Sequence, residues 1–194
     1  MIKQPVLITG ASSGLGVYLS DEFEKHGHQV IRHGGRKDLD LSIIEDLEKL
    51  SELALEKGVK ILVNNAAIGC PNKNFENYTI KEINYMIDVN LRAPLILSYL
   101  LSANLNNIIN INSMVGLEIK KPRTLYSATK WGLRGFSNSY KFENENIKML
   151  DVYPTNIRTK PERTNAMDPI EVVRKIYESF ENNDEKLILD GRPK

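Results

Sequence analysis

Tyr126 and Lys130 stand four residues apart in the run YSATK. On a helix that spacing puts both side chains on one face, with their heads able to reach one site. A free phenol, with a pKa of about 10, is a poor base at neutral pH, but a neighbouring ammonium favours the phenolate. The pair can then exchange a proton with a hydroxyl or carbonyl oxygen. Tyr and Lys at this spacing are also common as plain surface neighbours, so their meaning depends on what accompanies them. Ser113 closes a predicted strand, at the edge where open α/β sheets gather their ligands, and its hydroxyl can hold the reacting oxygen beside Tyr126.

A second chemical run is TGASSGLG at 9–16. Between a strand and a helix, Gly10, Gly14 and Gly16 give the backbone close access to a pyrophosphate, whose charge the helix N-terminus favours. Ser12 and Ser13 add hydroxyl donors, and Gly16 lets the helix lie close to the sheet. An ordinary tight turn is the bland alternative.

The elements that must position these residues alternate between short β-branched runs and stretches of helical period, as expected of a parallel sheet covered by helices. Strands are predicted at Pro5 to Thr9, Gln29 to Ile31, VKILVNNAA at 59–67, Asn107 to Asn112, Ile147 to Tyr153 and Lys186 to Asp190, with a very short third strand at Leu39 to Leu41. Leu15, Leu19 and Phe23 share one face of a first helix that stops at Gly27. Capping boxes at Ser42 with Glu45 and at Thr79 with Glu82 open two further helices, the second kinked or ended at Pro94. Tyr126 to Phe142 reads as helix, and Asp168-Pro169 with Glu171 starts the last one.

Together these residues resemble the short-chain dehydrogenase/reductase family. The match comprises TGASSGLG at 9–16, NNAA at 64–67, DVN at 88–90, Ser113, YSATK at 126–130 and PTNIRT at 154–159, in the family's order over almost the whole chain. The resemblance implies an α/β fold with a single doubly wound Rossmann-type domain over residues 1–194 and a mainly parallel sheet of about six to seven strands. It implies reversible carbonyl to alcohol conversion with NAD(P)(H), Asn90, Ser113, Tyr126 and Lys130 forming the catalytic set. The residue matching Lys130 also bonds the nicotinamide ribose, and the one matching Asn90 supports a proton-relaying water. Cofactor contacts are expected from Gly10, Ser12, Ser13, Gly14, Leu15, Gly16, Asn65, Ala66, Ala67, Tyr126, Lys130, Pro154, Ile157 and Thr159, with Asp40 and Leu41 beside the adenine ring.

The loop after the second strand, His33-Gly34-Gly35-Arg36, holds no acid at the position that would accept from a ribose 2′ hydroxyl. NADP(H) is therefore expected over NAD(H), with Arg36 meeting the 2′ phosphate and His33 or Arg32 assisting. The alternative is that Arg36 is a solvated loop charge. Where the family commonly has Gly, this chain has Ala67 and Thr155, which add bulk near the nicotinamide. It is also shorter than is typical of the family: no helix fits between the second strand and Leu39, and the stretch between Thr159 and Asp168, where the family often builds a lid, is brief.

Composition is consistent with a small-molecule partner. Lys plus Arg (26) nearly cancels Asp plus Glu (25), which argues against nucleic-acid or anionic-lipid partners. The lone Cys70 makes no internal disulfide and reads as an inert apolar residue near the substrate, and no stretch spans a membrane, so the reading is cytoplasmic. His26, His28 and His33 have no metal-ligand grouping, and no metal is expected. Lys120, Lys121 and Arg123, between Ser113 and Tyr126, either attract an anionic substrate or form a solvated basic loop. Trp131 is expected in core or interface. Family members form homodimers or homotetramers through the helices beginning near Thr79 and Tyr126. The competing readings are an NADP(H)-binding regulatory or sensor module without turnover, and a sugar-nucleotide epimerase or dehydratase, which has a different glycine spacing and a larger C-terminal region.

Overall fold

The computed structural model describes residues 3–69, 71–159 and 166–192. Its strands are β1 (Val6–Ile8), β2 (Val30–Arg32), β3 (Ile61–Asn64), β4 (Asn107–Ile111), β5 (Lys148–Pro154) and β6 (Lys186–Leu189). They form one six-stranded sheet in the order β2-β1-β3-β4-β5-β6, parallel throughout. Parallel strands need crossovers, and α1 (Leu15–Lys25), α2 (Ile44–Glu56), α4 (Ala93–Leu100), α5 (Thr124–Glu143) and α6 (Pro169–Glu181) supply them. A shorter helix, α3 (Ile80–Ile87), leads into α4.

Strand alternation divides the core. Val6, Ile8, Ile61, Val63, Ile109, Ile111, Leu150 and Val152 pack with α1 and α6, whereas Leu7, Leu62, Ile108 and Met149 pack with α2 and α4 on the other face. Covered on both sides, these strands are apolar at successive positions, as the sequence of VKILV displays.

Helix starts follow local chemistry. Thr79 and Glu82 form the reciprocal capping box, and the Asp168 carboxylate accepts from Ile170 N–H with Pro169 opening α6. Pro94 neither breaks the helix nor leaves it regular: Asp88–Arg92 winds as a wider π-helical turn between α3 and α4. Pro94 lacks an N–H and its ring would crowd the Asn90 carbonyl of a normal turn, so the wider turn relieves both.

Two local expectations are corrected. Leu39 to Leu41 pairs with no strand; the Leu39 carbonyl accepts from His33, Asp40 N–H donates to Asp46, and Leu41 turns into the α2 side of the core. Ser42 does not cap α2 with Glu45, because its N–H and hydroxyl both donate to Asp40 Oδ1, at 3.0 and 2.8 Å. A carboxylate is the stronger acceptor and takes the group that a capping box would need.

Candidate active site

The glycine turn is shaped by what cannot be there. Gly10 sits at φ 66°, and a Cβ at Gly16 would strike the Gly10 carbonyl and lie 2.7 Å from Asn65 Nδ2. Its neighbours brace it. Thr9 Oγ1 accepts from the N–H groups of Asn65 and Ala66, while Asn65 Nδ2 donates to the carbonyls of Thr9 and Gly10. From the other side Gly10 N–H donates to His33 Nδ1 at 3.2 Å, and His33 Nε2–H donates to the Leu39 carbonyl at 2.7 Å. Ser12 Oγ donates to the Gly34 carbonyl.

On α5, Tyr126 and Lys130 do share a face, with Lys130 Nζ 5.6 Å from the Tyr126 ring centre. Lys130 is 2% exposed and its Nζ donates to the Ile111 carbonyl at 2.8 Å, which aims it at the sheet edge. Burial pushes its ammonium down to about 8, against the pull of buried Asp151. Ser113 begins the turn after β4, and its Oγ accepts from Val115 N–H. Asn112 anchors that turn to α5: its Oδ1 accepts from Ser113 N–H and its Nδ2 donates to the Lys130 carbonyl.

Beneath Lys130 the strands carry a row of buried polar side chains facing α5. Asn64, Asn110 and Asp151 are register partners on β3, β4 and β5. Asn64 donates to Asn110, Asn110 to Ser137 Oγ, Ser137 to Asp151 Oδ1 at 2.7 Å, and the Tyr153 hydroxyl to Asp151 Oδ2 at 3.1 Å. Burial raises the Asp151 carboxyl above its ordinary range, while those donors oppose the rise. Burial next to Asp151 raises the Tyr153 phenol as well.

A cleft of about 880 Å³ lies along the C-terminal edge of the strands. Ser113, Tyr126 and Lys130 line it, together with Gly10, Ser12, Ser13, Gly14, Leu15, Arg36, Asp40, Leu41, Asn65, Ala66, Ala67, Pro154, Ile157 and Thr159. Two expected site residues lie behind the lining. Gly16 sits against the Gly10 carbonyl, and Asn90 is 1% exposed, clamping Ile68 with both amide atoms: Oδ1 accepts from Ile68 N–H at 2.6 Å and Nδ2 donates to its carbonyl at 3.0 Å. Asn90 thus shapes the loop after β3.

Other expectations shift. Arg32 faces away into ion pairs with Asp21 and Glu24, at 2.7 and 2.8 Å, and His33 is spent on the glycine turn. Arg36 does line the cleft, paired to Asp40 at 2.9 Å and lying over the Tyr85 ring. Ala67 is exposed in the cleft, where its methyl has room, and Thr155 Oγ1 accepts from Gly191 N–H, bracing the segment after β6. Trp131 is 44% exposed on α5, outside the core. Cys70, and residues 160–165 of the brief stretch expected in place of a lid, lie outside the described residues. The bracing residues Thr9, Asn112, Asn110, Ser137 and Asp151 were not singled out from sequence. Asn110 and Asp151 had a readable signal, a polar side chain at the same parity within two apolar strands.

A parallel sheet whose C-terminal edge carries a glycine turn, opening on a cleft, defines a Rossmann-type α/β fold. The chain matches the short chain dehydrogenase family over residues 37–169, and it belongs to that family. An uncharacterized oxidoreductase of Staphylococcus aureus is 25% identical over 203 residues, covering 88% of this chain and 87% of the relative. Among solved structures, the bulky-bulky ketone specific alcohol dehydrogenase of Comamonas testosteroni superimposes with a TM-score of 0.87 at 25% identity, covering 97% of this chain and 86% of that one. Two others share the fold: a short-chain dehydrogenase of Sphingobium yanoikuyae in complex with NADPH (TM-score 0.83, 24% identity, 95% and 87% covered) and a 3-ketoacyl-(acyl-carrier-protein) reductase of Brucella melitensis complexed with NADH (TM-score 0.86, 21% identity, 97% of each).

Proposed function

We propose that this chain interconverts a carbonyl and an alcohol on a small molecule with NAD(P)(H), one domain carrying both the cofactor and the catalytic groups. The observation that carries the reading is that Ser113, Tyr126 and Lys130 line the same cleft as the glycine turn. The cradle fits a dinucleotide: only a residue without a Cβ suits Gly16, and the left-handed Gly10 and Gly14 present bare backbone to a pyrophosphate. Such a cofactor supplies or removes the hydride. The chain's part is the proton. Ser113 Oγ holds the reacting oxygen, the Tyr126 hydroxyl gives or takes its proton, and the Lys130 ammonium favours the phenolate form of Tyr126. Asn90 acts by holding Ile68 in place along the cleft wall.

NADP(H) is favoured over NAD(H) because Arg36 lies in the cleft on the loop after β2, where a 2′ phosphate would meet a cation. A cytoplasmic location is part of this proposal, supported by the lone Cys. A homodimer or homotetramer is proposed through α3 to α5, where Ile87, Tyr99, Trp131 and Phe142 are exposed, and light scattering in solution tests it. The enzyme reading is tested with NADPH and a panel of aldehydes, ketones and quinones. The expected result is NADPH oxidation that Tyr126→Phe abolishes while cofactor affinity is kept. Tight binding with no turnover of any compound would make the chain a nucleotide-binding regulatory module instead.

A further inference from the structure

The charges along the cleft pair off, except at one end. Arg36 is matched by Asp40, and Glu118 by Arg192, whose guanidinium also holds Asp190. Lys130 Nζ is directed to the Ile111 carbonyl. Lys120 and Arg123 also line the cleft, and neither has a carboxylate partner among the described residues. The Arg123 Nε is buried with no hydrogen-bond acceptor. Both belong to the connection that runs from the Ser113 turn to the start of α5, and they line the same cleft as Ser113 and Tyr126. The first turn of α5 holds no acidic residue to neutralise them.

A buried donor of a permanently charged group is costly unless an acceptor arrives. A planar guanidinium suits carboxylate or phosphate oxygens, and an unpaired cation beside a reacting centre both attracts an anion and orients it. We propose that the substrate carries a carboxylate or phosphate on the same molecule as its carbonyl or alcohol, and that Arg123, assisted by Lys120, binds that group while the reacting oxygen sits at Ser113 and Tyr126. This rests on the oxidoreductase reading for its chemistry but on the unpaired cations for its specificity.

The test uses oxo acids of increasing chain length beside their methyl esters, and dihydroxyacetone phosphate beside dihydroxyacetone, each with NADPH or NADH. The anionic member of at least one pair is expected to be preferred by about tenfold or more in kcat/KM. Arg123→Ala should erase that preference mainly through KM, leave the neutral member unchanged, and be partly rescued by Arg123→Lys. Preference within the oxo acid pairs marks a carboxylate, and within the dihydroxyacetone pair a phosphate. Equal rates on anionic and neutral members, or an equal loss of both in Arg123→Ala, overturns the anion site while sparing the oxidoreductase reading. If nothing turns over, calorimetric titration of the NADP⁺-saturated protein with 4-oxopentanoate and with dihydroxyacetone phosphate decides. Binding that Arg123→Ala abolishes supports the anion site without the enzyme, and no binding overturns it.

Discussion

The two ends of the cleft are built by different means. At the glycine end, shape comes from backbone: Gly10 and Gly16 leave no room for side chains, Thr9, Asn65 and His33 brace the turn, and Arg36 already has Asp40. At the tyrosine end, shape and charge come from side chains: Lys130 is buried over a polar row, and Lys120 and Arg123 line the cleft without carboxylate partners among the described residues. The glycine end is thus intolerant of volume and tolerant of charge changes at its rim. The tyrosine end instead holds a costly buried charge at Lys130, at the expense of stability.

The hardest way to break the comparison is to add volume at the glycine end. Gly16→Val would drive a side chain into a backbone carbonyl, which cannot swing aside as a flexible side chain can. Cofactor affinity is expected to fall by about a hundredfold or more, as fluorescence titration with NADPH would read, with a lowered melting temperature. A Gly16→Val protein that binds as the parent does would mean that the turn is not the cradle.

At the other end Lys130→Met is expected to separate stability from activity. The folded-state pKa of Lys130 lies near 8, below the reference of 10.5, so its buried ammonium opposes folding below about pH 8 and the cost fades as the pH rises to 10.5. At about 1.4 kcal/mol per unit, the relief at pH 7 has a ceiling on the order of 3 kcal/mol. Losing the bond to the Ile111 carbonyl takes back about 1 kcal/mol. Lys130→Met is therefore expected to melt several degrees higher at pH 7 but not above pH 10.5, and to lose turnover by about a hundredfold or more. Thermal scans at the two pH values check the sign.

A gentler change sharpens the same point. The Asp151 carboxylate favours the Lys130 ammonium, so Asp151→Asn lowers the Lys130 pKa below about 8. The alkaline fall of kcat/KM should then begin at lower pH, by roughly half a unit to one unit. Because burial raises the Asp151 carboxyl, an amide there relieves desolvation at neutral pH, and the fold should survive. An unmoved alkaline limb would make Asp151 a packing residue only.

What was legible in the sequence divides along the same line. The glycine spacing and the YSATK run are local, so both ends of the cleft could be placed, and period and caps located the helices α1, α2, α3, α5 and α6. The roles of His33, Asn90 and Asp151 depend on partners far along the chain: 23 residues separate His33 from Gly10, and 22 separate Asn90 from Ile68. Leu39 to Leu41 misled because Leu-Asp-Leu, a short apolar–polar alternation, looks alike as an edge strand and as a core-facing loop. Ser42 misled because Asp40, two residues upstream, competes for its hydroxyl. That Arg123 has no carboxylate partner among the described residues is a fact of the whole cleft, in which Glu118 is taken by Arg192, 74 residues away.

The smallest expected effect lies at the rim of the glycine end. Arg36 is 72% exposed on its side chain and already paired to Asp40, so water and salt screen what it offers a 2′ phosphate. Arg36→Ala is expected to raise KM for NADPH by roughly tenfold or less and to leave KM for NADH unchanged. The effect should shrink as ionic strength rises, because an exposed cation acts through a screened field. The loss of Arg36 also frees Asp40, whose carboxylate would then repel the phosphate, so the double replacement with Asp40→Asn separates the two contributions. If NADPH and NADH respond alike to Arg36→Ala, the discrimination lies elsewhere and Arg36 serves to hold Asp40 and the loop that follows β2.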